Sequence, residues 1–445
     1  MKPRERWHII ADRAEAPAGL GLLICLGAVG FCLSLVLATY RGPPQYSDAA
    51  AFHLLYDPGL LPRAAAATAA FMLAGIPFLF ARFSFGYLIG FYLYTMLLGF
   101  IWLNCFSDLD HDHLLAGLSA AVSGVALLLP AVLIVSPARR KVELSQRLFE
   151  YILTLIPLQA VATIVIAGVY NFRFIAIENI YDYRDKLDFP RAVAYLIGLN
   201  TSVLLPFAFA CFLARNYFWR AGLVLLLALL FYPVTLSKFA IFAPVWLLFL
   251  VALSHFFRIR TAVILSLLLP LTGGNIALLL GAPPVIFTTI NFRMLIIPSG
   301  ALDIYNHYFL HHDFTAFCQI GIVKSIFGCA YNEPLSIVMR NAYGLGNLNA
   351  SLFATEGIAS LGPYWAPLSA FACGLAIALG NRLSAGLPPR FILISAGVLP
   401  LLFQNVPLST VLLTHGLLLL FALWYFTPRT MLRPEGEGEA RASGP

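Results

Sequence analysis

The sequence predicts an all-α, polytopic membrane protein of about twelve transmembrane helices with a large outer loop late in the chain. Three observations predict it. Of 445 residues, 60% are hydrophobic and only 11% are charged, whereas soluble domains carry about 25% charged residues. The mean hydropathy is +0.84. No long polar stretch interrupts the apolar runs, and a globular core cannot bury so much apolar surface, so the solvent for it must be lipid.

A hydrocarbon layer about 30 Å thick needs roughly 20 mostly apolar residues to be crossed as helix. The first run, Ala18 to Tyr40, follows Lys2, Arg4, Arg6 and Arg13; it is too long for a signal peptide and lacks a small-residue cleavage site, so it reads as a retained helix. Next come Ala64 to Ala81, Phe83 to Phe106, Leu114 to Ser136, Phe149 to Tyr170 and Arg191 to Ala214. Ala221 to Leu236 and Phe239 to Phe257 are separated only by Thr235 to Lys238, and Ala262 to Ala282 completes an N-terminal bundle over 1–282. After a semi-apolar outer segment over 283–362, three shorter runs fill 363–427: Pro363 to Asn381, Phe391 to Asn405 and Leu408 to Phe426. The tail, 428–445, is polar.

With the N-terminus inside, the inner segments collect 18 of the 28 Lys and Arg and 8 of the 21 acidic residues, an inner face of about +10 against an outer face of about −3. That is the positive-inside asymmetry. The net charge of +7 therefore reports orientation in a bilayer, with both termini cytoplasmic, and not nucleic-acid binding. Cys25, Cys32, Cys211 and Cys373 fall in spans as small apolar groups, and Cys105 ends one. Cys318 and Cys329 share an outer segment, in a compartment that permits a disulfide, and their spacing leaves the pairing open.

The side chains able to do chemistry lie in the outer segments. Asp48, His53 and Asp57 occupy the first. Asp108, Asp110, His111, Asp112 and His113 crowd the second, and carboxylates with imidazoles suit a divalent metal; short acidic turns are equally explained by solvation, neighbouring residues rarely converge on one ion, and no metal is expected. The segment Asn171 to Pro190 mixes Arg173, Arg184 and Lys186 with Tyr181 and Tyr183 in an amphipathic pattern suited to the membrane surface. Lys238 stands alone between apolar runs, where it must reach the interface or line a polar cavity.

The 283–362 segment holds Arg293, Asp303, His307, His311, His312, Asp313, Lys324, Glu333, Arg340 and Glu356. Too hydrophobic for a linker and too interrupted to cross, it should fold back over the helices as short helices. Arg293 and Arg340 are permanent cations suited to phosphate oxygens, with pairing to Asp303 or Glu333 the plainer alternative. His307 titrates near neutrality and is a candidate base.

Tyr181-x-x-Arg184, Ser237-Lys238, Arg293 to Pro298 followed by Tyr305 and Phe309, and Gly346-Asn347-x-Asn349-Ala350 leading to Gly357 and Gly362 occur in that order. Over about Asn171 to Asn381 the chain resembles the bacterial oligosaccharide repeat unit polymerases of the Wzy type, which make O-antigen, capsule and exopolysaccharide. The resemblance implies a GT-C-like helical architecture in the inner membrane. It also implies a glycosyltransferase that joins undecaprenyl-diphosphate-linked repeat units on the periplasmic face without metal or cofactor, with the bilayer and a chain-length regulator as further partners. Arg184, Lys238 and Arg293 would neutralise the departing diphosphate, and His307 or Glu356 would take the acceptor hydroxyl proton. Arg173, Tyr181, Tyr305, Arg340, Asn347 and Asn349 would contact substrate. Two positions depart from the family pattern: Lys238 where Arg is frequent and Glu356 where Asp is frequent.

Two rival classes remain. A metal-dependent GT-C glycosyltransferase or an O-antigen ligase is the near one, the former placing a carboxylate such as Asp48 in the first outer loop. A flippase or transporter is the distant one, although transporters place ionisable groups near the bilayer midplane and often show a half-to-half repeat, neither of which is visible here.

Overall fold

The computed structural model describes residues 15–40, 52–176, 180, 183 and 187–432. Arg184 and Tyr181 fall outside the described residues. Among these residues the chain is helical, without strands, and carries a single isolated antiparallel bridge between Leu54 and Ser107.

Eleven helices among the described residues are long and apolar enough to cross a membrane. They are α1 (Pro17–Thr39), α2 (Pro58–Phe80), α3 (Phe85–Leu103), α4 (His113–Leu133), α5 (Gln146–Tyr170), α6 (Arg191–Ala214), α7 (Phe218–Thr235), α8 (Lys238–Phe256), α9 (Ile259–Leu279), α10 (Val285–His311) and α11 (Phe353–Ser384). The protein is accordingly a multi-pass membrane protein. The first nine agree with the expected spans to within six residues at either end. Local chemistry sets several starts: Ser84, Asp112 and Ser145 accept backbone N–H bonds from Tyr87, Leu115 and Leu148, capping α3, α4 and α5.

The rest differs from expectation. Instead of one soluble segment over 283–362, α10 and the start of α11 occupy nearly half of it, leaving 312–352 between them. Charges at Arg293, Asp303 and His307 and the prolines at 283, 284 and 298 dilute a segment that is otherwise apolar. Towards the C-terminus, four short helices (Pro389–Ser395, Leu399–Asn405, Leu408–Leu413 and Leu417–Phe426) replace two spans. Gly397, Pro407 and Gly416 mark the breaks, where proline lacks the N–H a continuous helix needs and Gly416 adopts φ +79°.

Two compact units emerge. The first combines Met1–Ile134, Phe256–Leu379 and Pro400–Thr410. Within it α3 is buried along its whole length, as a helix apolar on every face must be. Helices α1 and α9 run side by side in the same direction: Glu15 pairs with Arg260 at 2.5 Å near their starts, and Ser34 donates to Asn275 at 2.9 Å near their ends. Helix α3 follows the same direction, since Arg260 also donates to the carbonyls of Leu79 and Ala81 just before α3 begins, and Tyr92 bonds Ser266 at 2.7 Å half-way along.

Helix α10 starts six residues after α9 ends and packs against the C-terminal ends of this parallel set. Its Asn291 amide donates to Ser34 Oγ, Asn275 Oδ1 and the Leu271 carbonyl at 2.8 to 3.0 Å. Ser299 donates to the Met96 carbonyl at 3.0 Å. These partners all lie within about 12 Å of the C-terminal ends of α1, α3 and α9 at 1.5 Å per residue, and further on Asp303 meets Ser107 just past the end of α3. Gly99 permits the approach, because a β-carbon there would stand 2.7 Å from Ser299 Oγ. In lipid each such polar group must find its partner within the protein.

The second unit combines Val135–His255, Gly380–Leu399 and Val411–Pro445. An ion pair of Arg215 with Glu150 joins α6 to α5. Trp246 Nε1 donates to the Gly397 carbonyl at 3.0 Å, and Arg140 donates to the carbonyls of Trp424 and Thr427 at 3.2 and 3.0 Å, satisfying the end of Leu417–Phe426.

Adjacent glycines in α9 give a matched test of the seam. A methyl at Gly274 would overlap the Asn291 carboxamide oxygen, whereas nothing lies within 4 Å of one at Gly273. Gly274→Ala is expected to lower the thermal stability of the detergent-solubilised protein, by about 1 to 3 kcal/mol. Gly273→Ala should leave it unchanged or raise it by up to about 1 kcal/mol through helix propensity. Equal behaviour of the two variants would remove Asn291 from its place.

Candidate functional site

In the first unit, polar groups gather where α3 ends and α10 passes over it. The turn between α3 and α4 is pinned by backbone bonds, Leu55 N–H to the Phe106 carbonyl and Asp108 N–H to the His53 carbonyl at 2.9 and 3.0 Å. Phe52 packs against Gly300 of α10, where a β-carbon would stand 2.6 Å from its ring. This close approach delivers Asp303 to the turn. Asp303 has no side-chain exposure; its Oδ2 accepts from Ser107 Oγ at 2.5 Å and its Oδ1 lies 3.4 Å from His111 Nε2, on an imidazole only 3% exposed. The His111 and His113 rings are 4.3 Å apart. Burial, with added repulsion from His113 and His307, pushes the His111 imidazole down to about 4, so it is neutral at physiological pH.

His307 sits one turn beyond Asp303 on α10. Its Nδ1 is 2.5 Å from the hydroxyl of Tyr343, the last residue of the helix Leu335–Tyr343. Burial raises the Tyr343 phenol, which stays protonated.

From this cluster a groove of about 750 Å³ runs down between α2 and α4. Arg63, Asn104 and His113 line one end; Phe71, Leu118, Val125 and others down to Leu133 line the rest. Twenty residues of α4 separate His113 from Leu133, so the apolar wall extends about 30 Å, close to a hydrocarbon thickness.

The remaining expected residues divide between the units. Arg293 belongs to the first unit, exposed on a π-helical stretch, Thr288–Ile296, that opens α10. Glu356, also of the first unit and 5% exposed, lies on a second such stretch, Phe353–Ala359, packed against α10. Such wide turns are frequent at functional sites. Its Oε1 accepts from both the N–H and the Oγ of Ser409 at 2.9 Å, and its Oε2 accepts from Thr355 Oγ1 at 2.6 Å. A carboxylate so engaged joins two segments and has little capacity left for an acceptor proton. Tyr305 is buried at 1% exposure and packs its ring on Phe309 at 6.0 Å. Arg340, Asn347 and Asn349 are exposed in 312–352, where Cys318 and Cys329 form a disulfide.

Lys238 and Arg173 belong to the second unit. Lys238 is half-buried at the start of α8, just after Leu236 turns the chain at φ +49°. The 171–176 stretch is tied to the same reversal: Asn171 Nδ2 donates to the carbonyls of Pro233 and Val234, and Arg173 N–H donates to the Pro233 carbonyl at 2.9 Å. The exposed Arg173 guanidinium lies 5.9 Å from the Tyr183 ring centre.

Asp303 and the groove-lining Arg63 and Asn104 are the residues that sequence reasoning did not single out as a set. Asp303 lies 196 positions from Ser107, and no spacing rule joins them; an ionisable residue within an apolar stretch was the available signal. Comparison with family models, curated proteins and solved structures gave no match.

The disulfide yields a direct count. Of seven cysteines, five are free. Alkylation of the denatured, unreduced protein should modify five thiols, and reduction should release Cys318 and Cys329 for a total of seven. Seven before reduction would break the pair.

Proposed function

We propose that the chain is a membrane glycosyltransferase that polymerises undecaprenyl-diphosphate-linked oligosaccharide repeat units on the periplasmic face of the bacterial inner membrane. The observation that carries this reading is the groove in the first unit, apolar for about 30 Å and ended by Arg63 and His113 beside a buried polar cluster. Its shape and polarity match an amphipathic ligand with a long isoprenoid chain and an anionic head. The Cys318–Cys329 disulfide supports an oxidising compartment for that end. The ordered motifs from Tyr181 to Gly362 supply the sugar polymerase part.

Glycosyl transfer from a lipid diphosphate forms a bond between an acceptor hydroxyl oxygen and the anomeric carbon and breaks the bond from that carbon to the phosphate oxygen. The diphosphate leaves on its lipid carrying the electron pair. Its growing charge is the main quantity to stabilise, and cations preorganised in a partly dry site do this best. Arg63 at the groove end and Arg293 on its widened helical turn are assigned that role in the first unit. Lys238, Arg173 and Arg184, which the resemblance assigns to substrate, belong to the second unit, and no part in this site is given to them here.

The acceptor proton goes to His307. When its Nδ1–H donates to the Tyr343 hydroxyl, the Nε2 lone pair is available as base. Glu356 is assigned a positioning role through Ser409 and Thr355, because its oxygens are already engaged.

Loss of one cation should cost about 2 to 4 kcal/mol of transition-state stabilisation, by analogy with removal of an oxyanion donor. Arg293→Ala should thus lower polymerisation about a hundredfold or more, leaving single repeat units on their acceptor, and Arg293→Lys should keep part of the activity. Polymer ladders from cells expressing each variant at equal level read this out. Full-length polymer from Arg293→Ala, Arg63→Ala and His307→Ala alike would sink the assignment.

A further inference from the structure

We infer that His111, His113 and Asp303 form a binding site for one divalent d-block cation of the zinc class, which braces the α3–α4 turn to α10. Among the described residues this is the one group of three metal-ligating side chains whose donor atoms all lie within 4.8 Å of one another. Two imidazole nitrogens and a carboxylate form a borderline donor set suited to zinc.

The geometry is close to that of a ligated site. Donors bound at about 2.05 Å in tetrahedral arrangement stand about 3.3 Å apart, and His111 Nε2 lies 3.4 Å from Asp303 Oδ1. Those two atoms, with His111 Nδ1, are buried and have no hydrogen-bond partner among the described residues. Leaving a buried carboxylate oxygen and an imidazole unsatisfied is costly, and one cation would satisfy both.

The surrounding groups orient the ligands as outer partners of metal sites do. Asn104 Nδ2 donates to the His113 carbonyl at 2.7 Å, which turns Asn104 Oδ1 towards His113 Nδ1 at 3.1 Å. An amide oxygen accepts, so His113 Nδ1 carries the proton and Nε2 is left with its lone pair. Ser107 Oγ occupies Asp303 Oδ2 at 2.5 Å and leaves Oδ1 to face His111. Asp110 and Asp112, beside the histidines, add negative potential that offsets the charge of Arg63 next to His113.

The site's role is structural: it braces the turn at the head of the groove, on whose assignment to a lipid-linked donor it does not depend. The turn carrying His111 and the helix carrying Asp303 are 192 residues apart in sequence, and a metal joining them would fix α10 beside the end of α3.

The test uses the full chain, purified without a polyhistidine tag and with His311→Ala and His312→Ala to remove the exposed histidine pair. Loaded with zinc and desalted, it should retain one metal per chain, gain melting temperature with zinc, and show tetrahedral ligand-field bands with cobalt. Asp303→Asn and His113→Gln should each weaken zinc binding at least tenfold. Ser107→Ala should weaken it roughly tenfold, at the lower end of effects for outer partners, and serves where a ligand variant fails to fold. No retained zinc in the parent, or equal retention in Ser107→Ala and in every ligand variant that elutes as the parent does, would overturn the site.

Discussion

Asn291 is the pivot of the first unit. A carboxamide at that depth has no water to bond, and its nitrogen finds Ser34, Asn275 and the Leu271 carbonyl instead. Interhelical hydrogen bonds of this kind contribute about 0.6 to 2 kcal/mol each in membranes. Repeated at Ser299 and Asp303, they hold α10 at the ends of three parallel helices. An apolar segment of 27 residues with no such anchors could simply cross the bilayer.

What α10 carries follows from where it is held. Arg293 lies in its third turn, Asp303 reaches the turn after α3, and His307 lies one turn further against Tyr343. One helix thus carries a buried carboxylate and an imidazole to the turn after α3, with Arg293 ten residues before the carboxylate. The apolar groove between α2 and α4 ends there too, with Arg63 and His113 at its head. A lipid-linked anionic donor needs both features together, a long apolar cleft and a polar site at its mouth, and the assignment of glycosyl transfer rests on that combination.

Much of this architecture was legible in composition and hydropathy, because lipid demands uninterrupted apolar runs and nine of them stand out. The fold-back near residue 290 was legible as a tendency: a segment too apolar for a linker and too charged to cross. Its helical continuity was not, since Arg293, Asp303 and His307 count against a span although Asp303 is sequestered inside the protein. The broken C-terminal helices look like two spans in the sequence because hydropathy averages over Gly397, Pro407 and Gly416. Within the candidate site, His307 and Arg293 were visible as isolated ionisable groups, and Glu356 was visible but its bonds to Ser409 were not. The convergence of His111, His113 and Asp303 was hidden because two of them sit in a short acidic turn of common type and the third is far away in sequence. Contacts at that separation arise from packing, which local pattern does not encode.

The central claim is that α10 begins and ends on the same side of the membrane. Single cysteines at Pro283 and Asp313, both exposed, would flank it in a chain that keeps Cys318 and Cys329 as a disulfide and lacks the five free thiols. Labelling of sealed, right-side-out membrane vesicles with an impermeant maleimide should modify both positions equally before lysis. Modification of one position before lysis and of the other only after it would place a full crossing between them and contradict the account.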